Sequence, residues 1–139
     1  MAFAERTASV PADAEVVFDV VTDVEHLSTW LPAGVEVERY GPHLVRLWLG
    51  EEVVERRVAV DWDKLRIDWG SRSAPTYVGA LQVLRVAPGR SAVTVRLTGP
   101  AGLPAPRLDA WLARALEALV EVVGAERGTP PRSLLVPPT

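Results

Sequence analysis

Cysteine is absent from the 139 residues, while lysine (Lys64) and methionine each occur once and histidine twice. Without a thiol there is no cysteine nucleophile, no thiolate-held iron–sulfur cluster and no cysteine zinc site. The two histidines, His26 and His43, form neither an H-x-H nor an H-E-x-x-H spacing, so no metal is expected. No serine sits in a G-x-S-x-G elbow, and no glycine run matches a dinucleotide or P-loop fingerprint, so no cofactor is expected either. Every apolar run falls well short of the ~20 residues that span a bilayer. The segment Met1 to Arg6 lacks the basic start and apolar centre of a secretory signal. A cytoplasmic protein without integral membrane association is therefore expected. The net charge is −3, with Arg and Glu alternating rather than running in blocks, which leaves no basic face for a phosphate backbone. Nucleic acid is not an expected partner, and the oligomeric state, monomer or homodimer, stays open.

The chain is the size of one domain, large enough to bury a core without disulfides or a structural metal. Loose alternation from Ala2 to Val10 predicts a strand ending at Pro11. Asp13 is placed to cap a short helix carrying Val16, Val17, Phe18, Val20 and Val21. Thr22 with Glu25 matches a capping box, predicting a break and a second short helix through Trp30, ended by Pro32 and Gly34. Six further strands are predicted at 35–40, 43–49, 52–60, 65–69, 76–86 and 92–98, separated by turn residues such as Gly41-Pro42 and Pro88-Gly89. That spacing implies consecutive antiparallel hairpins with one dry face. Beyond the Gly- and Pro-rich segment 99–106, apolar residues from Leu108 to Val123 recur at i, i+3, i+4 and i+7, with charged residues opposite. They predict a long amphipathic helix, stopped by Gly124 or Gly128. Residues 1–126 then form the domain, and 127–139 a Pro-rich, flexible tail.

Three segments resemble the START/Bet v 1 (SRPBCC) superfamily, in particular its polyketide cyclase/dehydrase and lipid-transport branch. They are Val10 to Phe18 entering the first helix, Val21 to Trp30 making the break, and Pro88 to Leu97 making the last hairpin. The resemblance implies an α+β helix-grip fold, in which a seven-stranded curved antiparallel sheet wraps around the C-terminal helix. It also implies a cavity between the two for a hydrophobic or aromatic molecule. It supplies no catalytic residue list, because the superfamily includes carriers, receptors, aromatase/cyclases and co-chaperone domains.

Five tryptophans stand out: Trp30, Trp48, Trp62, Trp69 and Trp111. Rigid rings suit the wall of a pocket for planar ligands, and core filling is the ordinary alternative. Trp69 shares a strand face with Leu65 and Ile67, and Trp111 lies on the helix stripe beside Leu112 and Ala115. Arg56 shares strand parity with Val54, Val58 and Val60, and Gln82 with Val78, Ala80 and Leu84. Pointed inward, either would need a partner, such as a ligand carbonyl or carboxylate; pointed outward, either meets water. Tyr77 offers a hydroxyl as donor or acid, and otherwise marks a strand start. The candidate cavity residues are Trp48, Arg56, Trp69, Tyr77, Gln82, Trp111, Leu112 and Ala115. Three functions fit: a carrier of a lipid or polyketide-like molecule, a polyketide cyclase, aromatase or dehydratase, and a protein-interaction module of co-chaperone type.

Overall fold

The fold comes from a computed structural model that describes residues 3–23, 35–39, 43–49, 52–70, 78–99 and 104–134. Strand β1 (Phe3–Val10) leads into helix α1 (Ala14–Thr22), and six strands follow: β2 (Val35–Arg39), β3 (Leu44–Leu49), β4 (Glu52–Asp61), β5 (Arg66–Gly70), β6 (Val78–Ala87) and β7 (Arg90–Thr98). Helix α2 (Ala105–Leu134) closes the order. The seven strands form one antiparallel sheet in the order β1-β7-β6-β5-β4-β3-β2. Strands β2 to β7 pair as neighbours along the chain, and β1 returns to pair with β7, Phe3 opposite Thr98 and Val10 opposite Ser91. This is the helix-grip arrangement that the resemblance implied. Tyr77 and the proposed second short helix lie outside the described residues.

Period-two patterning selects the face that meets the helices. In β7 the side chains of Ser91, Val93, Val95 and Leu97 are buried while their alternates are more open. Directly opposite residues of an antiparallel pair share a face, so the register carries this inward parity across the sheet. Leu81 and Val83 oppose Val95 and Val93, Ile67 opposes Leu81, and Val60 opposes Ile67. Onto this face α1 brings Val17, Phe18 and Val21, and α2 brings Leu108, Leu112, Ala115, Leu116, Leu119 and Val123, all within one core. The α2 stripe therefore docks as its spacing predicted. An ion pair between Arg6 of β1 and Asp109 of α2, 2.7 Å long, ties the start of the helix to the sheet edge.

Two expectations about helix ends need correction. Asp13 occupies the N-cap position of α1 but makes no side-chain cap bond. Its Oδ1 instead accepts the Gly89 N–H at 2.6 Å, pinning the β6–β7 turn, where Gly89 takes φ 73. A short polar side chain serves either the helix end or a neighbouring turn, and here the tertiary contact takes it. Helix α2 runs past both Gly124 and Gly128 to Leu134. Glycine inside a helix costs about 1 kcal/mol relative to alanine, which weakens a helix without ending it.

Candidate ligand-binding face

The core is unevenly spread beneath the sheet. Its buried apolar residues come from β1, α1, the start and body of β5, β6, β7 and α2. On the β2–β4 side, the inward-facing valines Val37, Val45, Val54 and Val58 are only half-buried, and Val60 is 40% exposed. β-branched residues in this alternation form strands because they pack against a pleated surface. Part of this apolar wall remains accessible to a guest.

Arg56 stands in the middle of that wall. It opposes Val45 in the register, lies on the inward face and is 4% exposed. Its Nη1 donates to the Glu55 carbonyl at 2.6 Å. A guanidinium carries five N–H donors in a planar fork, and desolvating it in an apolar setting is costly unless its groups are served. Trp69 opposes Val58 on the next strand, which makes it a diagonal neighbour of Arg56, with Cβ atoms on the order of 7–8 Å apart in such an arrangement. The Trp69 ring lies across Gly79 of β6: a Cβ built on that glycine would fall 2.9 Å from Trp69 Cζ2 and 2.1 Å from the Arg96 carbonyl oxygen. Strand glycines mark such close approaches. Trp69 and Trp111 are both half-buried against the edge of the core, whereas Leu112 and Ala115 are buried within it.

Two candidates fall on the other face. Trp48 opposes Glu36 and Val53, so its ring is directed away from the helices, with the Arg46 guanidinium carbon 6.0 Å from the ring centroid. Gln82 opposes Arg66 and Thr94, also outward. Its Nε2 donates to the carbonyls of Lys64 at 2.5 Å and Leu65 at 3.4 Å. This amide braces the β4–β5 loop, where buried Leu65 takes φ 53, a left-handed conformation that disfavours a side chain. In the same loop, Asp61 Oδ1 accepts the N–H groups of Asp63 and Lys64 at 3.0 and 3.1 Å. The parity of Trp48 and Gln82 was open in the sequence, because both strands carry apolar residues on both faces. Trp62 packs structurally too, its ring edge-on to that of the fully buried Phe18 at 4.7 Å, while 55% of Trp62 remains exposed.

The rest of the outward face mixes polar pairs with the exposed side chains of Phe3, Val53 and Leu84. Arg46 pairs with Glu55, Arg66 with Asp68 and Arg96 with Glu5, and Thr7 meets Thr94 at 2.9 Å. The Asp68 carboxylate holds the Arg66 guanidinium more firmly protonated than usual, through hydrogen bonds first and charge second. Among the described residues, no group of three or more His, Asp or Glu side chains is placed to hold a metal ion. Nor is any described helix long and apolar enough to cross a membrane.

A curved antiparallel sheet gripping a long C-terminal helix, with one apolar wall half-covered, defines a START-like domain of the helix-grip class. The chain belongs to the polyketide cyclase/dehydrase and lipid transport family, whose model matches residues 1–126. No curated protein sequence matches it. Among solved structures it resembles the di-domain aromatase/cyclase StfQ of the steffimycin biosynthetic pathway, with a TM-score of 0.73 at 19% identity over 89% of this chain. It spans 46% of that two-domain protein's length. A protein from Thermus thermophilus matches with TM-score 0.70 and 20% identity, covering 89% of this chain and 98% of its own. A START superfamily protein from Mycobacterium smegmatis matches with TM-score 0.62 and 18% identity, over 89% of this chain and 95% of that one. At such identities the likeness speaks for the fold.

Proposed function

We propose that this protein binds a hydrophobic or aromatic small molecule, of lipid or polyketide-like character, between the inward face of β2–β5 and helix α2. The observation that carries the reading is the half-covered apolar wall of Val45, Val54 and Val58 beside Trp69 and the buried Arg56. Concave apolar surfaces with a few placed polar groups are where small molecules bind. In this reading Trp69 and Trp111 flank the guest and Leu112 and Ala115 support the helix side. Trp48 and Gln82, facing away, take no part. Native mass spectrometry of protein purified from its own host is expected to show a co-purifying small molecule. Titration with planar aromatic probes is expected to quench tryptophan emission in the wild type and much less in Trp69→Leu. Quenching of equal strength in both would remove the site from this face.

The family supports a second reading, in which the same face folds a polyketide-like chain for cyclisation or dehydration. Holding a flexible chain near its reactive geometry lowers the entropic part of a barrier, and Arg56 would stabilise oxyanion character as it develops. A reconstituted pathway in which Arg56→Met leaves the product pattern unchanged would count against this enzyme reading and leave binding intact.

A further inference from the structure

The four tryptophans among the described residues divide into two pairs. The rings of Trp48 and Trp62 are met, the first by the Arg46 guanidinium and the second by the Phe18 ring. Among the described residues, Trp69 and Trp111 meet no other aromatic ring and no cation, and neither indole N–H finds an acceptor. Both are half-buried, and both flank the proposed face.

Each of these two indoles also stands beside bare or small neighbours. Gly79 opposes Trp69 directly, and Trp69 Cζ2 lies 2.9 Å from the place a Cβ would take there, so the ring leans over β6 backbone rather than against a side chain. On α2, the residues one and two turns beyond Trp111 on the same flank are Ala115 and Ala118. The direction of Trp111 follows from Asp109, two residues earlier and about 200° away round the helix. Asp109 pairs with Arg6 on β1, one edge of the sheet, and the buried stripe of Leu112 and Leu119 lies between the two flanks. Trp111 is therefore turned away from β1, toward the side of the sheet that holds Trp69.

A guest filling the space between these indoles displaces water from both N–H groups, and a buried donor left without an acceptor is costly. Open ring surface is well covered by another flat ring. We infer that the guest is a flat aromatic ring system bearing a carbonyl, not a fatty acyl chain: the ring lies between Trp69 and Trp111, and its oxygen accepts an indole N–H. The inference rests on the binding face proposed above and narrows its ligand to one class.

Equilibrium dialysis of the full chain against three probes of equal carbon count tests this. Fluorenone is flat with a carbonyl, fluorene is flat without one, and methyl undecyl ketone carries its carbonyl on a flexible chain. A neutral hydrogen bond and an aromatic pair are each worth roughly fivefold in affinity, so fluorenone is expected to bind about fivefold tighter than either of the others. The double variant Trp69→Phe with Trp111→Phe keeps two rings and removes both N–H groups. It is expected to lose the preference over fluorene and to keep that over the chain ketone. Fluorene or the chain ketone binding the wild type as tightly as fluorenone overturns the inference and leaves the binding face standing. A folded double variant that keeps the preference over fluorene overturns it as well. Binding of none of the three, up to their solubility, overturns the face and the inference together. The wild-type comparisons hold even if the double variant does not fold.

Discussion

Replacing Gly79 by alanine tests the part of the sheet on which Trp69 rests. The new methyl carbon would lie 2.1 Å from the Arg96 carbonyl oxygen, about 1.3 Å short of the 3.4 Å at which ordinary contact begins, and 2.9 Å from the indole of Trp69. The first obstacle is backbone of the neighbouring strand β7 and cannot rotate away. The second is a ring that can tilt. Overpacking a tight interior costs about 1–3 kcal/mol, and a backbone obstacle places this case at the upper end. At about 2–4 °C per kcal/mol for a domain of roughly this size, the midpoint of thermal unfolding followed by circular dichroism is expected to fall by about 6–12 °C. Near-ultraviolet dichroism is expected to change as well, because the indole must leave its position over β6. Adding Trp69→Leu removes the ring obstacle and not the carbonyl, so the double variant is expected to recover only a minor part of the loss. A Gly79→Ala protein that melts within about 1 °C of the wild type would refute the close approach, and with it the placement of the Trp69 ring. The magnitude also bears on function, since a lifted indole would intrude on the wall proposed to receive the guest.

Other expectations are independent of that one. Gln82→Ala removes an amide that braces the Lys64 and Leu65 carbonyls, so stability measured in urea is expected to drop by about 1 kcal/mol with probe binding unchanged; lost binding at normal stability would return Gln82 to the site. Gly124→Ala meets nothing within 4 Å on an exposed part of α2, and is expected to raise stability by about 0.5–1 kcal/mol. The Glu15 carboxyl is held below the usual carboxylate range by its hydrogen bond to Arg85. A depressed folded value contributes stability above the ordinary range, lost as pH falls through the folded value. Melting temperatures of wild type and Glu15→Gln are therefore expected to differ at neutral pH and to converge in strong acid; a gap independent of pH would show that the ion pair is not its source.

Much of this fold was legible in one dimension. The i, i+3, i+4 recurrence of Leu108, Leu112, Leu119 and Val123 fixes a helix whose buried face the packing confirms residue by residue. The alternation of Val93, Val95 and Leu97 likewise marks the dry side of β7. Local periodicity reports these because one side chain in two, or one in about three and a half, repeats a direction.

Which face a polar or aromatic side chain takes was not legible where both parities of a strand carry apolar residues. Arg56 and Gln82 stood as equals in the sequence, yet pairing with Val45 sets the first inward and pairing with Arg66 sets the second outward. The competition for the Asp13 carboxylate, won by Gly89 from 76 residues away, was equally hidden. So was the need for a bare backbone at Gly79, which comes from Arg96 and Trp69 on the two flanking strands. Register and long-range contact are relations between segments, set by how the whole sheet lines up, and no single segment carries them.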